Sequence, residues 1–149
     1  MDDIANPIPL HLTQADGNIT KANGVANTWS DIFKYQVPQN TEVLLQPGDL
    51  FSAYLKDTSP AECGENTCYV KIEVRDPSEN DHELVFGAAI YKRIKEFQNG
   101  DEMAKIAITI ARRVLPRQWI VIVIKDDAVV SYATSYFDLF TSTIAVPLT

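Results

Sequence analysis

The chain has 149 residues, 13 basic and 20 acidic, for a net charge of -7. That length buries a core without help from a metal or disulfide. With 46% hydrophobic and 22% charged residues, it is not a disordered acidic tail, a collagen-like chain or a disulfide scaffold. Its acidity speaks against bulk attraction to nucleic acid or to an anionic membrane.

Residues 1–30 read as an extended arm. Met1-Asp2-Asp3 is acidic where a secretory signal is basic, and no apolar stretch of signal length follows. Synthesis in a cytoplasm is therefore expected. Asn6-Pro7-Ile8-Pro9 places prolines at alternate positions, which forbids a helix and favours an extended course. Ile4, Ile8, Leu10 and Leu12 recur at even spacing, so one side of the arm is apolar. A poorly ordered tail is one reading. An arm with that side has surface to bury, against its own domain or a neighbouring subunit. Ile4, Pro7, Ile8, Leu10, Leu12 and Trp29 are its expected anchors, docked on a neighbour or on a larger assembly.

From residue 31 the pattern is β. Phe33, Tyr35 and Val37 share one face of a first strand, and Thr41–Leu45 forms a second. Pro47-Gly48 suits the central positions of a type II turn, and Leu50–Leu55 follows as a third strand. Cys63 and Cys68 flank a polar Gly-Glu-Asn-Thr tip. Two readings stand: a disulfide across a hairpin, adding about 2 kcal/mol in the chain-entropy model, or two free thiols. Neither His11 nor His82 lies at a zinc-ligand spacing from them.

Tyr69–Arg75 alternates, with Val70, Ile72 and Val74 inward and Lys71, Glu73 and Arg75 toward water. Residues 76–81 form an acidic, turn-rich loop. Leu84-Val85-Phe86 suits a strand, and residues 88–97 suit a short helix or an irregular crossover. Residues 103–111 alternate as a strand, and Arg112-Arg113 and Pro116-Arg117 bracket a connection. Trp119–Ile124 is a six-residue apolar run, far short of the roughly 20 a bilayer-spanning helix needs. It predicts a strand buried on both faces, with Trp119 in the core. Val129-Val130 and residues 136–146 supply the last strands. So many short strands without long crossover helices predict an all-β antiparallel sandwich or barrel, with at most one short helix. The simplest organisation is the arm, 1–30, and one β-sandwich domain, 31–149.

Catalytic patterns do not emerge. Neither His11 nor His82 follows a strand end beside a nucleophile motif. The six glycines are scattered, with no phosphate-binding loop. Asp76, Glu79, Asp81 and Glu83, and Asp126-Asp127, contain oxygen ligands for Ca²⁺ but lack EF-hand spacing; solvated acidic loops are the plainer reading. Charge is uneven. Residues 1–83 hold 5 basic and 14 acidic side chains, and residues 84–149 hold 8 and 6. Opposite-signed patches of that kind steer contacts between subunits.

The blocks Phe33-Lys34-Tyr35-Gln36-Val37-Pro38, Leu45-Gln46-Pro47-Gly48-Asp49 and Phe51-Ser52-Ala53-Tyr54-Leu55 resemble small all-β proteins of tailed-phage and prokaryotic-virus particles. So do Tyr91-Lys92-Arg93-Ile94-Lys95-Glu96-Phe97-Gln98 and Ser135-Tyr136-Phe137. Such proteins are similar to capsid decoration, or cement, proteins. The resemblance implies a sandwich or jelly roll on the outside of a capsid, self-association as a homotrimer, and attachment to a major capsid protein. It implies no catalytic residue and no cofactor. The expected role is a non-enzymatic virion structural protein. The alternative is a carbohydrate-binding sandwich, Ca²⁺-dependent through an acidic loop, with Trp29 or Trp119 as a stacking platform.

Overall fold

The computed structural model describes residues 7–13, 16–17, 23–59, 69–85, 92–93, 104–107, 111–139 and 143–148. Among the described residues its named elements are strands. In chain order they are β1 (Ile8–Pro9), β2 (Leu12–Thr13), β3 (Ser30–Gln36), β4 (Thr41–Leu45), β5 (Leu50–Asp57), β6 (Tyr69–Arg75) and β7 (His82–Leu84), then β8 (Lys92–Arg93), β9 (Ala104–Ala107), β10 (Arg112–Val114), β11 (Trp119–Lys125), β12 (Val130–Leu139) and β13 (Ile144–Pro147). Their pairings, among the described residues, are antiparallel.

Two four-stranded orders, β1-β13-β4-β10 and β2-β12-β5-β9, trace the same four passages of chain. Each passage is divided once: between β1 and β2, β12 and β13, β4 and β5, and β9 and β10. The four divisions lie side by side, so these are two halves of one bent sheet. Gln46–Asp49 turns the chain at the bend, with Asp49 N–H donating to the Gln46 carbonyl at 3.0 Å. Gly48 takes φ +92° there, as a type II turn requires. Asp49 is fully buried and ties the bend together. Its Oδ2 accepts from Gln46 N–H at 2.6 Å and from Thr143 Oγ1 at 2.5 Å.

The second sheet runs β3-β11-β6-β7, with β8 also on β6. β7 and β8 pair successive stretches of β6 and so form one passage. Counting passages along the chain, the sheets have orders 1-8-3-6 and 2-7-4-5. That is an eight-stranded, jelly-roll-like double sheet. Leu12, Val43, Leu45, Val114 and Val130 from the first sheet meet Phe33, Ile72, Ile120, Ile122 and Ile124 from the second in one apolar core. At β3 the register slips: Ile122 faces Phe33 and Val123 faces Asp31. Ile32 is the extra residue of a bulge, which explains why consecutive Ile32 and Phe33 are both buried.

The described part of the arm packs on the chain's own sheets. β1 edges β13 and β2 edges β12. Gly24 N–H and Asn27 N–H donate to the carbonyls of Val130 and Asp126. Leu12 belongs to the core and Leu10 packs against it. Gly17 lies so close to the Phe33 ring that a Cβ there would sit 2.5 Å from Cδ2. Burial, and then the Asp16 charge, push the Tyr35 hydroxyl pKa up. Leu10 and Leu12, expected to anchor the arm on a partner, are thus engaged within the chain, because the even spacing aims them into the sandwich. Pro7 and Ile8 are exposed; Ile4 lies outside the described residues, as do Cys63 and Cys68.

Two boundaries differ from expectation. Arg112-Arg113, expected in a connection, belongs to β10, paired with Leu45 and Leu44 of β4. Glu83 and Glu42 meet these arginines, so the charges are accommodated at the sheet. Of residues 88–97, the described Lys92–Arg93 pair is a strand on β6; the expected helix otherwise falls outside the described residues.

Candidate interaction surfaces

Parity along β11 decides what faces outward on the second sheet. Ile120, Ile122 and Ile124 enter the core. Trp119, Val121 and Val123 therefore point away from it. Their cross-strand partners on that face are Gln36, Lys34 and Asp31 on β3, and Arg75, Glu73 and Lys71 on β6. Trp119, expected in the core, stands instead on the outward face. Its Nε1 donates to the Pro77 carbonyl at 3.2 Å.

This face is charged, yet its centre is shielded from water. Glu73 and Arg75, expected to be wet, are 4% and 7% exposed. Arg75 donates to Asp31 through Nη1 at 2.9 Å and Nη2 at 2.8 Å, a two-point pair. It also donates to Glu73 Oε1 through Nε and Nη2, and to Glu79 Oε1 at 3.0 Å. Burial alone would lower the Arg75 pKa; hydrogen bonds to Asp31, Glu73 and Glu79 outweigh it and raise it. Lys34 Nζ reaches Glu79 Oε2 at 2.7 Å, and Lys71 Nζ reaches Glu73 Oε2 at 3.3 Å. Glu79 adopts a left-handed backbone, φ 61°, at the end of the 76–79 turn. That conformation disfavours any residue with a Cβ, and its carboxylate is held by both cations.

Lys71 Nζ sits 4.5 Å from the Trp29 ring centroid, and Lys34 Nζ 4.7 Å from that of Trp119. A lysine over each ring takes up a face that a sugar would stack on. His82 Nδ1 lies 3.3 Å from Glu73 Oε1, and Nε2 2.9 Å from the Glu79 carbonyl. Asp76 accepts from Asp81 N–H and the Ser78 hydroxyl, closing its own loop. Among the described residues, no three His, Cys, Asp or Glu side chains gather as a metal-binding group.

The first sheet differs. In its β1-β13-β4-β10 half, Ile8, Ala145, Val43 and Val114 form an inward row. Pro9, Ile144, Leu44 and Arg113 form an outward row, with Val146 and Glu42 in the next. Leu44, Ile144 and Val146 are half-buried and Pro9 is exposed. These outward positions are mostly apolar where a one-sided sheet carries polar residues. Arg113 Nε and Nη2 bond Glu42 Oε2 and Oε1 at 2.7 and 2.5 Å. A depression of about 300 Å³ adjoins the pair, lined by Leu44, Leu45, Gln46, Ala111, Arg112 and Arg113. The sequence did signal this face: Val43-Leu44-Leu45 and Ile144-Ala145-Val146 are apolar without alternation.

The edge at β1 is blunt. Leu10 N–H donates to the Thr143 carbonyl, so Ile8, two residues away, also turns its N–H toward β13. Pro7 and Pro9 occupy the positions whose N–H would face outward. The edge therefore lacks those donors, which discourages strand addition.

Comparison of the sequence with protein-family models and with curated proteins finds no match. Comparison of the fold with solved structures does. VP17, a capsid protein of bacteriophage P23-77, superposes with TM-score 0.67 at 7% identity, covering 98% of each chain. The VP16-VP17 complex, of the two major capsid proteins of that phage, gives TM-score 0.66 at 7% identity, over 97% of this chain and 100% of the matched one. This chain shares its all-β fold with those capsid proteins.

Proposed function

We propose that this chain is a structural protein of a virus particle, without catalytic activity, that works by burying its surfaces against other capsid subunits. The observation carrying this reading is the end-to-end fold match to phage capsid proteins, with neither chain left with an unmatched domain. The surfaces fit it. One sheet face neutralises its own charges and the described outward rows of the other are mostly apolar, whereas converging catalytic groups would be expected of an enzyme.

The narrower reading is a place in the shell itself, beside a second capsid protein. The likeness to a complex of two major capsid proteins supports it. The decorating position, as a homotrimer outside a shell built by a major capsid protein, is the alternative implied by the strand and turn blocks. Particles purified on a density gradient and dissociated stepwise separate the two. A shell subunit leaves only when the shell breaks; a decorator leaves earlier, with the shell intact. A chain that stays among the free proteins at the top of the gradient contradicts both.

A further inference from the structure

We propose that the apolar outward face of β1-β13-β4-β10 binds the same face of a second copy of this chain. The two-fold axis would run in the plane of contact, between Glu42 and Arg113. The inference deepens the capsid reading and takes its purpose from it.

Pro9, Leu44, Ile144 and Val146 offer apolar surface away from the core, and covering it is favourable. Among the described residues that the register puts on these two rows, the charged ones are Glu42 and Arg113. Covering them leaves a cost unless each keeps an opposite charge. A two-fold axis between them meets that condition without a foreign partner. It sets each Arg113 over the other copy's Glu42, so the two pairs within chains are exchanged for two between chains and no charge is left unpaired. The Arg113 side chain is 64% exposed and that of Glu42 12%, so Arg113 is the group that reaches across, leaving its own Glu42 to the other copy's arginine. The prolines at the β1 edge leave face-to-face contact as the open route.

The size of the face sets the strength. Four strands about 4.8 Å apart, over two rows, offer a few hundred Å² at most, roughly half or less of the ~800 Å² per partner in a stable complex. The contact is therefore weak and reversible in solution, as suits a joint that a lattice repeats many times.

Sedimentation velocity over a concentration series tests it, with circular dichroism confirming the fold of each variant. The expected result is rapid exchange between one-chain and two-chain masses, with Ile144→Glu weakening association about tenfold or more. Glu42→Arg alone and Arg113→Glu alone should each stay monomeric. An equimolar mixture of these two should associate again, since the crosswise pairs re-form. A wild-type protein at one-chain mass up to about 1 mM overturns the proposal, as does a mixture no better than its components, or a folded Ile144→Glu that associates unchanged. A chain found in particles that never pairs in solution loses this contact and keeps the capsid role. One that pairs but enters no particle does the reverse.

Discussion

Arg75 and Asp31 are 44 residues apart in sequence, on strands that do not pair, yet their side chains meet at 2.8 and 2.9 Å. The bond crosses the central strand β11 and ties β6 to β3 on the outward face. Arg75→Leu leaves Glu73 buried with one cation fewer, so stability should fall by roughly 3–5 kcal/mol in urea unfolding. Adding Glu73→Leu should restore a large part, because an apolar pair replaces the buried charges well. A single variant as stable as the parent would show that the network carries no weight.

Acid should loosen the outward ion pairs of both sheets. Burial would raise the Glu79 pKa, but hydrogen bonds from Lys34 and Arg75 win and hold it below the usual range. Glu42 is lowered by its hydrogen bond from Arg113, against burial. A carboxylate whose folded pKa is depressed contributes stability above its unfolded value, about 4.3, and loses it as pH falls through the folded value. Unfolding free energy should therefore decline below about pH 4.3, and Glu79→Gln should flatten part of that decline. An unchanged profile in Glu79→Gln would assign the acid sensitivity elsewhere.

Gly17 tests the arm's attachment. A Cβ there would meet the Phe33 ring at 2.5 and 2.9 Å, and Phe33 is fully buried. Gly17→Ala should cost about 1–3 kcal/mol, with partial recovery when Phe33→Leu makes room. Equal melting temperatures for Gly17→Ala and the parent would place the arm further from β3.

The prolines at the edge give the opposite kind of prediction. Pro7→Val with Pro9→Val returns two outward N–H donors to β1. The fold should persist while large aggregates grow with concentration, seen by light scattering. A double variant as well dispersed as the parent would mean that the edge is guarded by something else.

The strands and the sandwich were legible because their signals are local. The Tyr69–Arg75 alternation and the Pro47-Gly48 turn each depend on neighbours in sequence. The outward network was not, because Glu73 and Arg75 look wet until Asp31, Glu79 and Lys34 arrive from other passages. Trp119 was misplaced for a related reason. In a run where every residue is apolar, the sequence does not say which parity faces the core. Arg112-Arg113 looked like a connection because its acidic partners, Glu83 and Glu42, are 29 and 71 residues away.

A building unit of a virus particle must be present in the particle in stoichiometric amount. Quantitative mass spectrometry of purified particles, set against their most abundant shell protein, tests it most directly. Copies on the same scale as that protein, retained through a high-salt wash, are expected. Trace amounts that wash away, or none, would contradict it.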